Sequence, residues 1–197
     1  MSTIAYEGGI FLRTIWCFLL CVALLCGCSG GQHLIDRAMM LRSNLQTAKG
    51  CSFDAVITAD YGDQIYTFAM GCQVDAHGNL FFTVLKPESI TGIEGFFDAQ
   101  GGKLTFDGHI LTFPMLADGQ VTPVSAPWIM YQTLIGGYFH TAVQEDKLLH
   151  VQIDDSYEDH ALQLDIWLGE EDLPVHADVL YQGRRILTIE VEKFEIL

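Results

Sequence analysis

Positive charge is what this chain has least of. Lys and Arg total 10 against 25 Asp and Glu in 197 residues, for a formal net charge of −15. That balance excludes nucleic acid as a partner, because affinity for a phosphate backbone comes mainly from Lys and Arg displacing counterions. Adsorption to anionic lipid through charge is disfavoured for the same reason. Proline is scarce too, at 5 residues, and no Pro- or Ser-rich linker, charge block or fixed-period repeat divides the chain. Patterns that carry chemistry are also missing. His33, His77, His109, His140, His150, His160 and His176 form no His-x-x-x-His pair, and no Cys-x-x-Cys is present. No Gly-x-Ser-x-Gly elbow surrounds any serine. The acidic cluster Asp154-Asp155-Ser156-Tyr157-Glu158-Asp159-His160 lacks the spacing of a calcium loop and reads as a solvated turn. The expectation is a non-enzymatic protein with no metal and no cofactor. Half of the residues are apolar, too many for a disordered chain and enough for one well-buried domain.

A membrane-spanning run is absent as well. Arg13 is followed by an apolar stretch from Thr14 to Leu25, about a dozen residues where a bilayer of roughly 30 Å needs about 20. The length suits the apolar region of a secretory signal. It leads into Leu25-Cys26-Gly27-Cys28, followed by Ser29-Gly30-Gly31. This resembles the lipobox of bacterial lipoproteins, and the resemblance implies that Cys28 receives a diacylglycerol and becomes the first mature residue. Residues 1–27 then form a signal peptide, 28–32 the lipidated cysteine and tether, and 33–197 the domain. Two acyl chains give lasting attachment to the extracytoplasmic face of a bacterial cell membrane. Cys17, Cys21 and Cys26 leave with the signal, so Cys51 and Cys72 remain as thiols where disulfides are permitted.

The mature chain opens with a helix. Leu34, Ala38, Leu41, Leu45 and Ala48 recur at three- and four-residue intervals, predicting a helix over 33–49 with Gly50 as its stop. After Gly50 the period becomes two. Residues 51–59 and 64–72 predict a hairpin around Asp60-Tyr61-Gly62-Asp63. With Tyr61-Gly62 as a two-residue loop, Cys51 faces Cys72, at a spacing compatible with a disulfide; two reduced core cysteines are the alternative. Further strands are read at 80–85, 103–106, 109–113, 162–168, 175–181 and 184–194, with turns at 75–79, Asp107-Gly108 and Gln182-Gly183. Pro123 to Gly137 interrupts this β pattern with the grammar of a short helix that carries no charge and is apolar on nearly every side.

An N-terminal helix, a long antiparallel meander and an inserted apolar helix resemble the lipoprotein-carrier superfamily, which includes LolA- and LolB-like proteins, lipid-binding lipoproteins and a spore-germination lipoprotein. The segment Gly102 to Phe113 is similar to the family's central hairpin with its Asp-Gly turn. The resemblance implies an α+β, mostly β fold, an unclosed antiparallel β-barrel with the inserted helix as a lid. Phe53, Phe68, Met70, Phe81, Trp128, Met130, Tyr131 and Leu134 are the candidates to line an apolar cavity between sheet and helix. The expected function is binding of a lipid, an acyl chain or a lipidated partner. The alternative is an adaptor with a self-filled interior that acts on another envelope or spore-germination protein.

Overall fold

A computed structural model describes residues 30–106, 108–113, 116–117, 120–159 and 161–197; Cys28 and the expected signal peptide lie outside these residues. Helix α1 (Gly30–Thr47) begins earlier than the expected start at His33 and takes in the two glycines read as tether. Ala38, Leu41 and Leu45 are buried and Leu34 packs against them, so the apolar stripe faces the core as its period requires. Gly50 makes the passage from helix to sheet. It holds φ +144°, and a Cβ there would stand 2.0 Å from the Val74 carbonyl oxygen.

The sheet follows in two blocks. β1 (Gly50–Asp60), β2 (Ile65–Asp75), β3 (Leu80–Lys86), β4 (Glu94–Asp98), β5 (Gly101–Phe106) and β6 (His109–Phe113) form the first. A two-stranded ribbon, β7 (Leu116–Ala117) with β8 (Gln120–Val121), leads to helix α2 (Ala126–Gly136). The second block is β9 (Tyr138–Glu145), β10 (Leu148–Asp154), β11 (Leu162–Leu168), β12 (Pro174–Tyr181) and β13 (Arg184–Ile196). Among the described residues one 11-stranded antiparallel sheet runs in the order β6-β5-β4-β3-β2-β1-β13-β12-β11-β10-β9. The first and last strands pair in its middle, and the edges β6 and β9 do not meet. A twisted sheet this wide curls on itself. The result is the expected unclosed half-barrel, mostly β, with one N-terminal helix and one inserted helix.

Period-two alternation decides which face is the interior. Along β1, Cys51, Phe53, Ala55, Ile57 and Ala59 are buried; along β2, Phe68, Met70, Cys72 and Val74 are. The predicted hairpin register is corrected by the structure. The loop is four residues, Tyr61 to Gln64, and closes with the Tyr61 N–H donating to the Gln64 carbonyl and the Gly62 N–H to the Asp60 carboxylate. Cys51 therefore pairs with Val74 and Cys72 with Phe53. The slip is two residues on one strand, which moves partners but preserves the face. The face was legible from the alternation; the partners depended on loop length, and Asp60 forms an Asx turn that a two-residue loop does not anticipate.

The two helices lie in the hollow. The last turn of α2 leaves carbonyls without intrahelical donors, and α1 supplies them. Arg42 Nε donates to the Leu134 carbonyl at 2.7 Å and Nη2 to the Gly137 carbonyl at 2.8 Å. Gln46 donates to the Ile135 carbonyl at 2.9 Å, and the Gly137 N–H donates to the Thr133 carbonyl. The Arg42 guanidinium also rests 4.0 Å from the centroid of the Phe139 ring, and burial lowers its pKa. At the other end of α1, Arg37 forks onto Asp172 and reaches Gln144.

Candidate functional site

The inserted helix is the centre of the candidate site because its sequence gives it no polar face. Ala126, Pro127, Ile129, Met130, Tyr131, Thr133 and Leu134 are buried. Pro127 sits where the first turn needs no N–H, and a 3-10 turn over Pro123–Ser125 leads in. On one side α2 packs over β10 to β13. On the other, the Trp128 ring meets Phe97 of β4 at 6.4 Å, so α2 bridges the two blocks of the sheet.

Of the eight expected lining residues, six belong to the packed interior. Phe53, Phe68, Met70, Met130, Tyr131 and Leu134 are all buried, Met70 at 0% exposure and Leu134 at 1%. Phe53 stacks on Phe194 with centroids 5.4 Å apart, and burial pushes the Tyr131 phenol up. Phe81 is corrected outright. It is 47% exposed on the opposite face of β3, beside Phe96, because Leu80, Phe82 and Val84 take the inward positions. The Phe81-Phe82 doublet offers one aromatic to each face, and only the strand phase tells which.

The expected disulfide is also corrected. Cys51 and Cys72 are both free and buried, in successive inward rows of the β1–β2 pair. Diagonal neighbours stand roughly 7–8 Å apart, beyond the reach of a relaxed bridge. Burial pushes the Cys51 thiol up to about 12. The Cys72 thiol is raised by burial first, with Asp54 and Cys51 adding to it.

An apolar crevice of about 310 Å³ opens beside α2. Trp128, Ile129, Gln132, Thr133 and Gly136 of the helix form one wall, and Asp155 and Leu162, flanking the β10–β11 turn, form the other. Its volume is at the lower end for small-molecule sites. Of the residues expected to bind ligand, only Trp128 lines it. The others were missed although the signal was there: steps of four from Trp128 reach Gln132 and Gly136, the same stripe of the helix. The Trp128 indole N–H is shielded and has no partner among the described residues.

The outer face of β9 to β13 carries a polar ladder. His150 stacks on Trp167 at 4.3 Å, Trp167 meets His176 edge-on at 4.9 Å, and Glu145 accepts from the Trp167 indole at 2.9 Å. Asp178 is buried, accepts from Thr188 at 2.8 Å and pairs with Arg185 at 3.2 Å. His150 and His176 thus fall on the polar phase of their strands. Among the described residues no three His, Cys, Asp or Glu side chains gather where they could hold a metal.

No known family profile matches the chain, and no curated protein matches it. The chain is similar in outline to proteins of the LolA superfamily. A LolA superfamily protein of Nitrosomonas europaea gives a TM-score of 0.43 at 7% identity, covering 81% of this chain and 93% of that one. A putative outer membrane lipoprotein-sorting protein domain of Vibrio parahaemolyticus gives 0.46 at 9% identity, covering 81% and 91%. The lipoprotein LppX of Mycobacterium tuberculosis gives 0.44 at 9% identity, covering 84% and 96%.

Proposed function

We propose that this chain is a non-enzymatic envelope lipoprotein, anchored on the extracytoplasmic face of a bacterial membrane through Cys28, that takes an acyl chain beside helix α2. The observation that carries the reading is an uncharged helix apolar on nearly every side, held in a half-barrel with an apolar crevice along its open stripe. The work is partition: each Å² of apolar ligand surface removed from water contributes about 25 cal/mol. The crevice beside Trp128 receives the end of the chain. Outward movement of α2, released at Arg42 and Gln46, extends the groove toward Met130, Tyr131 and Leu134 and the facing Phe53, Phe68 and Met70. The unpartnered Trp128 N–H then meets an ester or carboxyl oxygen of the ligand.

The test uses fatty acids brominated along the chain, which quench tryptophan fluorescence on contact. In a Trp167→Phe variant only Trp128 of the folded domain emits. Quenching of Trp128 that saturates with ligand supports the reading, and loss of saturable fatty-acid binding, read by calorimetry, in a Trp128→Asp variant that keeps the β circular-dichroism spectrum supports it further. Equal, non-saturating quenching of Trp128 and Trp167 would mean that the ligand only partitions onto the surface.

A second reading is favoured by the buried interior. Because Phe53, Met70, Met130 and Leu134 fill one another's space, the half-barrel is complete without a ligand. An adaptor that holds another envelope or spore-germination protein against its surface needs nothing more.

A further inference from the structure

A groove of about 580 Å³ crosses the outer face of the sheet, on the side away from both helices. Three features of β13, β2 and β3 build it. First, Gly71 lies on the outward phase of β2, paired with Asp54 and Thr83. A Cβ there would approach nothing closer than 3.6 Å, from Asp54 Oδ1, and its φ lies outside the left-handed region. Neither packing nor backbone requires a glycine at this position. A glycine inside a strand weakens it and often marks a bulge, here the nearby β2–β3 irregularity at Leu85, or a place where something approaches the backbone closely. Second, β13 carries a β-bulge opposite Phe53, next to the Asp54–Glu192 pair, where Lys193 adopts φ +51°. That conformation is strained for a lysine. It lets Glu192 and Lys193 both face outward before Phe194 returns to the core, and it brings Lys193 Nζ within 2.6 Å of Asp54 at the groove wall. Bulges of this kind re-aim a side chain. Third, Phe81 on the far wall is left exposed beside Phe96 at 5.9 Å.

We infer that this outer-face groove is a binding site for a neutral oligosaccharide. Its chemistry selects that class among others. An anion meets Asp54 and Glu94, and the Lys193 ammonium at the wall is already paired with Asp54. A purely apolar ligand would strip water from Ser52, Gln73 and Thr83 without replacing their hydrogen bonds. An extended peptide needs a free strand edge to add a β-ladder, and the groove crosses β13, β1, β2, β3 and β4, whose backbones already pair with one another. A sugar chain needs none of these. Its hydroxyls exchange hydrogen bonds with the hydroxyl, amide and carboxylate groups, and the C–H face of a pyranose lies against the Phe81 ring. The site is independent of the acyl crevice, which opens on the other side of the sheet.

The full-length protein, purified in a zwitterionic detergent free of sugar headgroups, is titrated calorimetrically with cellohexaose, maltohexaose and the hexamer of N-acetylglucosamine. At least one is expected to bind saturably. Phe81→Ala is expected to weaken it about tenfold, ~1.4 kcal/mol, and Gly71→Phe to abolish it by filling the floor. Arg42→Met, on the helix-covered side of the sheet and remote from the groove, is expected to leave sugar binding unchanged. Heat from none of the three oligosaccharides, or undiminished binding in Phe81→Ala, would overturn the assignment. Phe81 is a surface residue, so that variant decides the matter even where Gly71→Phe fails to fold.

Discussion

Cys51 and Cys72 sit in one apolar face of the β1–β2 hairpin, and their chemistry follows from where the register places them. Buried thiols with raised pKa values are poor nucleophiles, because the thiolate is the reactive form. In the native protein both are expected to resist iodoacetamide at neutral pH with or without reductant, and both to label after denaturation without reductant. A requirement for reductant in the denatured sample would restore the bridge. Asp75 shapes the next turn in a different way. Burial alone would raise its carboxyl, but hydrogen bonds from the Asn79 side chain and from the Asn79 and His77 backbone N–H groups outweigh it, so its pKa falls below the ordinary value. A depressed carboxyl stabilises the fold above its unfolded pKa and loses that contribution as pH falls through the folded value. Asp75→Ala is expected to lower stability by roughly 1 kcal/mol at neutral pH, about 2–4 °C in Tm for a chain of this size. The gap to wild type should narrow in acid. A gap independent of pH would mean that the charge plays no part.

Elements were legible wherever a period runs long enough to be counted. Helix α1, the strands of the β1–β2 hairpin and the alternating strands β11 to β13 follow from residues spaced by 3.6 or by two, and the inserted helix from its cap and glycine pair. β4 is short, and its Phe96-Phe97 doublet hides the alternation, so nothing in its sequence distinguished it from a loop. The contact between helices was not legible at all. Arg42 reads as a polar residue on an amphipathic helix, yet it holds the last turn of α2 through two carbonyls. Arg42→Met leaves those carbonyls unpaired, at about 1–3 kcal/mol per unsatisfied buried group. The variant is expected to melt lower and to show faster amide exchange in α2 than in β11 to β13. Uniformly faster exchange across the sheet would show that Arg42 supports the whole fold and does not hold α2 in particular.

At the scale of the molecule, the chain folds outward from β1 to β6 and returns from β9 to β13, so its two ends close the middle of one curved sheet. Order and alternation made that architecture legible, because each strand pairs with a sequence neighbour except at the β1–β13 seam. The site was less so. Aromatic and methionine residues were read as the lining of a cavity, and most of them are the core, since the same apolar character serves either role and only packing separates them. On the helix side of the sheet, the stripe of α2 beside Trp128 borders an open crevice. The most direct test is a native mass spectrum of residues 29–197, exported without the proposed anchor at Cys28 and recorded from the envelope without detergent. An acyl-lipid ligand predicts a mass excess that extracts as fatty acid or phospholipid and disappears in Trp128→Asp. A clean unliganded mass, with no binding of added fluorescent fatty acid, would contradict it and leave the half-barrel as an adaptor.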